Sequence, residues 1–265
     1  MQVESLGYRT DLMLRRLEGS SITDMGGYLV VVSPAHPEFW WGNFLLLPES
    51  AARDEASIWI SRFTEAFPGA GHVAIGIDST QASGADAAGF LAVGLKPELS
   101  TVMTATSLRE PPHPHRAAQC RRLAGDDDWQ QAIDLRLACS DVTGPPGGGD
   151  FDRRRLEQMR RLAEAGHGAY FGAFQAGRLV SQLGVFSDRS GTARYQNVET
   201  HPAARRQGLA GTLVYQAGVY ALKALAASVL VIVADPGYSA IRIYRSVGFA
   251  DRETQLELQR EPASG

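Results

Sequence analysis

The run His201-Pro202-Ala203-Ala204-Arg205-Arg206-Gln207-Gly208-Leu209-Ala210-Gly211-Thr212 gathers two cations and two glycines in one short stretch. Its chemistry is that of holding an anion. The residues before it, Tyr195 to Thr200, are rich in strand formers, whereas Leu209, Leu213, Ala217, Ala221 and Leu225 recur every four residues, as on one helix face. The run therefore joins a strand to a helix N-terminus. First-turn amides have no intrahelical acceptor and lie at the positive end of the helix dipole, so they can bind phosphate oxygens. Gly208 is expected to let the anion approach the backbone, with Arg205 and Arg206 adding charge. A P-loop or a dinucleotide fingerprint would need other glycine spacings, and neither occurs.

Arg205-x-x-Gly208-x-Ala210 resembles the Gln/Arg-x-x-Gly-x-Gly/Ala motif of the GNAT N-acetyltransferases, and it follows the family-like Val198-Glu199-Thr200-His201-Pro202. A second signature resembles Ala240-x-x-x-Tyr244-x-x-x-Gly248-Phe249, again after an apolar strand, Val229-Leu230-Val231-Ile232-Val233. The resemblance extends over roughly residues 116 to 262 and implies an acetyl-CoA-dependent transferase acting on a small-molecule or peptide amine, without a metal. By it, the amides and side chains of Arg205, Arg206, Gln207, Gly208, Leu209, Ala210, Gly211 and Thr212 hold the coenzyme phosphates. Main-chain groups of Val198 and Thr200 hold its arm and polarise the thioester carbonyl.

Tyr244 matches the family's general acid, and a phenol of pKa about 10 stays protonated at neutral pH. It also reads as a core tyrosine, because Ala240, Ile243, Tyr244 and Val247 share a helix face. Glu199 is the candidate base, the alternatives being a water chain and a purely structural carboxylate. Strand alternation places Glu199 with Tyr195 and Asn197, opposite Val198 and Thr200, unless a bulge intervenes. Gly237 stands where many members have Asn, which removes one expected arm contact and a helix cap. A non-catalytic acyl-CoA-binding regulatory module is the alternative to an enzyme.

These residues need an α/β scaffold with a mixed sheet. Residues 107–119 carry three prolines and no apolar period, so they read as a linker between an N-terminal α/β domain, 1–106, and a transferase domain, 120–265. His113 and His115 lie in it without metal-ligand partners nearby. In the second half, Asp126 to Asp128 open a helix reaching about Ala138, and the Gly144-to-Gly149 run precedes another, Phe151 to Glu164. Strands near 169–175, 179–187 and 192–200 follow, completing the order β-α-α-β-β-β-α-β-α-β of the GNAT fold.

The first half reads as a helix over 5–16, strands near 27–32 and 44–47, a helix over 55–66, and strands near 72–77 and 90–95. It has no Arg-x-x-Gly-x-Ala equivalent and so reads as a GNAT-like half that has lost its cradle. Trp40 and Trp41 either pack there or line an acceptor cleft.

The chain of 265 residues is 44% hydrophobic, enough for two cores. A net charge of −3 without a dominant basic block does not indicate nucleic-acid binding. Two cysteines form neither a disulfide framework nor a zinc knuckle, and no apolar run is long enough to span a bilayer. The expected location is the cytoplasm. The sequence leaves monomer and homodimer equally open.

Overall fold

A computed structural model describes residues 1–140 and 148–261. It divides into two compact units, one of Met1–Met103 with Val233–Tyr238 and the chain from Asp251 onward, the other of Thr104–Ile232 with Ser239–Ala250.

The first unit opens with α1 (Leu6–Leu17), followed by β1 (Ser21–Asp24), β2 (Leu29–Val32), β3 (Phe44–Pro48), α2 (Ala56–Ala66), β4 (Val73–Asp78), α3 (Ala88–Ala92) and β5 (Lys96–Ala105). β3 and β4 are parallel, with Leu45 opposite Ile75 and Leu47 opposite Ile77. Their residues are buried almost throughout, as expected of central parallel strands covered on both faces. Trp41 donates to Gln259 and touches Phe44, while Trp40 stacks on His72. Both tryptophans are half-buried and pack against the core of this unit.

The apolar stretch expected as a strand at 90–95 is instead α3, and the strand follows it. Ser83 and Asp86 form a capping box just before α3, and Gly94 at φ +86° lies just beyond its end. Phe90 is fully buried from that single turn. A short apolar run does not reveal its own period, which is why the sequence misassigned it.

The second unit runs β6 (Gln119–Arg122), α4 (Gly125–Cys139), α5 (Gly148–Glu164), β7 (Gly168–Gln175), β8 (Arg178–Phe186), β9 (Thr192–Thr200), α6 (Leu209–Ala224), β10 (Val229–Ala234) and α7 (Ala240–Val247). Its strand order is β10-β9-β8-β7-β6, antiparallel except for the parallel β9–β10 pair. Helices α4 and α5 pack against β7 and β8, and α6 packs against β7, β8, β9 and α7. Residues 144–147 of the expected Gly/Pro break lie outside the described residues.

The last strand, β11 (Ala250–Arg260), pairs antiparallel with β4, so it serves the first unit although the sequence reading assigned it to residues 120–265. Pattern alone cannot say which half a terminal strand joins. Its Glu253 accepts from Leu6 N at 2.8 Å and Ser5 Oγ at 3.0 Å, satisfying the N-terminus of α1. The stretch expected as an exposed linker also has a place. Arg109 donates from N, Nε and Nη2 to the carbonyls of Val247, Ser246 and Arg245 at 2.9, 3.1 and 3.0 Å. That puts a cation on the C-terminal carbonyls of α7.

Candidate functional site

The site begins where β9 loses its regularity. Gln182 faces Glu199 and Gly184 faces Gln196, so one extra residue lies in β9, and Asn197 there takes φ +51°. This bulge separates Tyr195 from Glu199. Tyr195 donates to Val214 O at 2.8 Å on the α6 side, whereas Glu199 meets Arg136 of α4 on the other. The simple alternation that put Tyr195 and Glu199 on one face is thus corrected. β9 pairs with β10 only from Thr192–Val229 to Arg194–Val231, leaving Tyr195 to Thr200 without a β10 partner.

After β9 the chain makes a short 3-10 turn, Pro202–Ala204, and then two left-handed residues, Arg206 at φ +61° and Gly208 at φ +81°. Gly208 is the N-cap of α6. None of the described residues accepts a hydrogen bond from the N–H groups of Arg206, Gln207, Gly208, Leu209, Ala210 or Gly211. Six successive open amides at a helix start, interrupted by left-handed residues, make a nest for an anion.

Three expected members of the cradle have other duties. Arg205 Nε donates to Thr200 O at 3.2 Å, tying the turn to the strand. Thr212 N donates to Gly208 O at 3.1 Å, so that amide is committed to the helix. Gly208 is also not a glycine for the ligand's sake alone. A Cβ placed on it would lie 2.1 Å from the His113 carbonyl oxygen, so the space beside it is filled by the chain itself.

The Acetyltransferase (GNAT) family model matches residues 129–249, spanning this strand, turn and helix and the following α7. This stretch is a GNAT domain. Solved structures agree on the fold. A GCN5-related N-acetyltransferase from Kribbella flavida is 15% identical with TM-score 0.66, over 98% of this chain and 97% of its own. A functionally unknown conserved protein from Staphylococcus epidermidis ATCC 12228 is 10% identical with TM-score 0.67, over 91% and 93%. A tandem GNAT protein from the clavulanic acid biosynthesis pathway is 10% identical with TM-score 0.58, over 95% and 88%. No curated protein sequence matches significantly.

Within the GNAT domain, Glu199 is held from two sides. Its Oε1 accepts from Arg136 Nη1 and its Oε2 from Gln182 Nε2 at 2.9 Å. Arg136 also donates from Nε to Asp152 Oδ1 at 2.9 Å, and Ser140 Oγ donates to Asp152 Oδ2 at 2.9 Å. Burial works against the Arg136 charge, but Glu199 and Asp152 outweigh it and raise its pKa. Each Glu199 oxygen keeps a second lone pair beside the bond it accepts, so the carboxylate retains room for a proton. Arg136, Asp152 and Gln182 escaped the sequence reading because their meeting depends on three separate elements. The one local signal was a glutamine inside the buried run of β8.

Tyr244 lies on the buried stripe Ile241, Tyr244, Val247 of α7 and is 5% exposed. Ile243, expected on that face, is instead half-buried and directed at Gly211. The helix is capped by Ser239, whose side chain makes no capping bond, and Gly237 N donates to Asp235 Oδ1 at 2.7 Å. Cys139, near Glu199 and Arg136, has its thiol pushed up by burial and then by the Glu199 charge. It is not poised as a thiolate nucleophile. Among the described residues no group of three His, Cys, Asp or Glu could hold a metal, and no helix is long and apolar enough to cross a membrane.

Proposed function

We propose that the protein is an acetyl-CoA-dependent N-acetyltransferase that passes an acetyl group directly to a primary amine of a small molecule or peptide. The observation that carries this reading is the row of six open amides, Arg206 through Gly211, at the start of α6 in a GNAT domain. These donors suit the coenzyme pyrophosphate, and the Arg206 side chain adds a cation. The coenzyme supplies the acetyl group as a thioester, already activated. Val198, at the bulge where β9 has no β10 partner, offers main-chain groups to the thioester arm. Fixing both reactants removes much of the encounter entropy.

In the transfer, the amine nitrogen bonds to the acetyl carbon and the carbon–sulfur bond breaks. The Tyr244 phenol gives its proton to the departing sulfur. The amine's proton passes to Glu199 or to a water chain; each carboxylate oxygen keeps a second lone pair beside its bond to Arg136 or Gln182. The two cysteines are free, which suits a reducing cytoplasm.

The test is to mix the protein with acetyl-CoA and a panel of primary amines while following free CoA thiol and product mass. Amine-dependent thiol release with an acetamide product is expected. Tight binding with no release for any amine would instead make the chain an acyl-CoA-binding regulatory module.

A further inference from the structure

The Pro-rich crossing segment ends in a closed set of hydrogen bonds around His115. Its backbone N–H donates to Thr212 Oγ1 at 2.9 Å, and that hydroxyl donates to Gly208 O at 2.9 Å. Its ring Nδ1 lies 3.0 Å from Gln207 O. A carbonyl only accepts, so Nδ1 carries the hydrogen and Nε2 of the neutral ring is an acceptor. Gln175 Nε2, at 3.2 Å, fills that acceptor and gives its other hydrogen to Gln207 Oε1 at 3.1 Å. Every donor in the set has an acceptor.

The peptide plane turns these bonds into a statement about the nest. In a trans peptide the C=O and the following N–H point opposite ways. Holding the Gln207 carbonyl on His115 therefore aims the Gly208 N–H away from His115, and holding the Gly208 carbonyl on Thr212 aims the Leu209 N–H away from Thr212. Gly208, in the left-handed region, has little intrinsic resistance to rotation of its flanking peptides. Rotated, the Gln207–Gly208 peptide would present a carbonyl oxygen where the anion needs a donor.

We propose that His115 is a positioning residue of the coenzyme site, fixing the Gln207–Gly208 peptide so that its N–H faces the pyrophosphate. The inference rests on the acetyl-CoA reading above. It assigns to the segment before the GNAT domain a part in building the cradle, through a residue outside the family's matched stretch.

Calorimetric titration of acetyl-CoA into the full-length wild type, His115→Leu and His115→Asn tests it, with thermal midpoints of the ligand-free proteins measured alongside. Asn can keep a donor at the Nδ1 position, whereas Leu cannot. The expected result is about tenfold weaker binding for Leu, equivalent to about 1.4 kcal/mol, with Asn indistinguishable from wild type. Unchanged affinity in His115→Leu would overturn the proposal, as would an Asn variant weakened as much as Leu. Should His115→Leu fail to fold, Gln175→Leu removes the outer bond from a half-buried position and is expected to weaken binding about threefold; no change there also overturns it. A wild type that does not bind acetyl-CoA would instead show the functional reading itself to be wrong, and this inference would fall with it.

Discussion

Gly208 is fixed by two independent constraints, its φ of +81° and the His113 carbonyl 2.1 Å from where a Cβ would be. A non-glycine residue in the left-handed region costs about 1–2 kcal/mol before any overlap is counted. Gly208→Ala is therefore expected to lower stability by about 2 kcal/mol or more and to weaken acetyl-CoA binding together with it, as read by thermal melting and calorimetry. A folded variant of wild-type stability that only lost affinity would mean that the glycine serves the ligand alone. Tyr244→Phe separates the two roles of that ring: coenzyme affinity should be retained while turnover falls about 10²-fold. Normal turnover with a lowered melting temperature would return Tyr244 to the core. The turn and Tyr244 were legible in the sequence because their signals are local, a glycine at a helix start and a helical repeat. The partners of Glu199 were not, since Arg136, Asp152 and Gln182 come from three elements that only the fold brings together.

At the scale of elements, α4 illustrates how a cap is shared. Its N-cap Ala124 makes no side-chain bond, and Asp128 instead accepts from Ala124 N at 2.7 Å and from Arg121 Nη2 at 2.8 Å. The Arg121 hydrogen bond, helped by the Ala124 amide, holds the Asp128 carboxyl below its usual range against the opposing effect of burial. A depressed folded pKa means stability that is present above about pH 4 and lost as pH falls through the lowered value. Asp128→Asn is expected to cost about 1 kcal/mol at pH 7. The gap between the two melting curves should close as pH drops below about 4; a gap that persists in acid would assign the loss to packing. Elements with a strong period or a long buried run, such as α6, β3 and β4, were readable in advance. β1 was not, because a short, polar edge strand lacks the alternation that marks a half-buried one. The β9 bulge was equally silent: it is one unpaired residue, and it determines which face Glu199 occupies.

Across the whole molecule, the two units share a strand–helix–parallel-strand arrangement, β3-α2-β4 in one and β9-α6-β10 in the other. The turns differ in charge. α2 follows Glu55, with Asp54 beside it and Glu49 leading in, all exposed carboxylates and no glycine. Carboxylates favour a helix N-terminus but repel a phosphate there, so we propose that one chain takes one acetyl-CoA, at α6. Hydrogen–deuterium exchange with and without saturating acetyl-CoA tests this most directly, because it reads the amides themselves. The account predicts slowed exchange over residues 206–211, with residues 49–57 unchanged. Protection at 49–57, or saturable binding that leaves 206–211 exchanging as before, would contradict it.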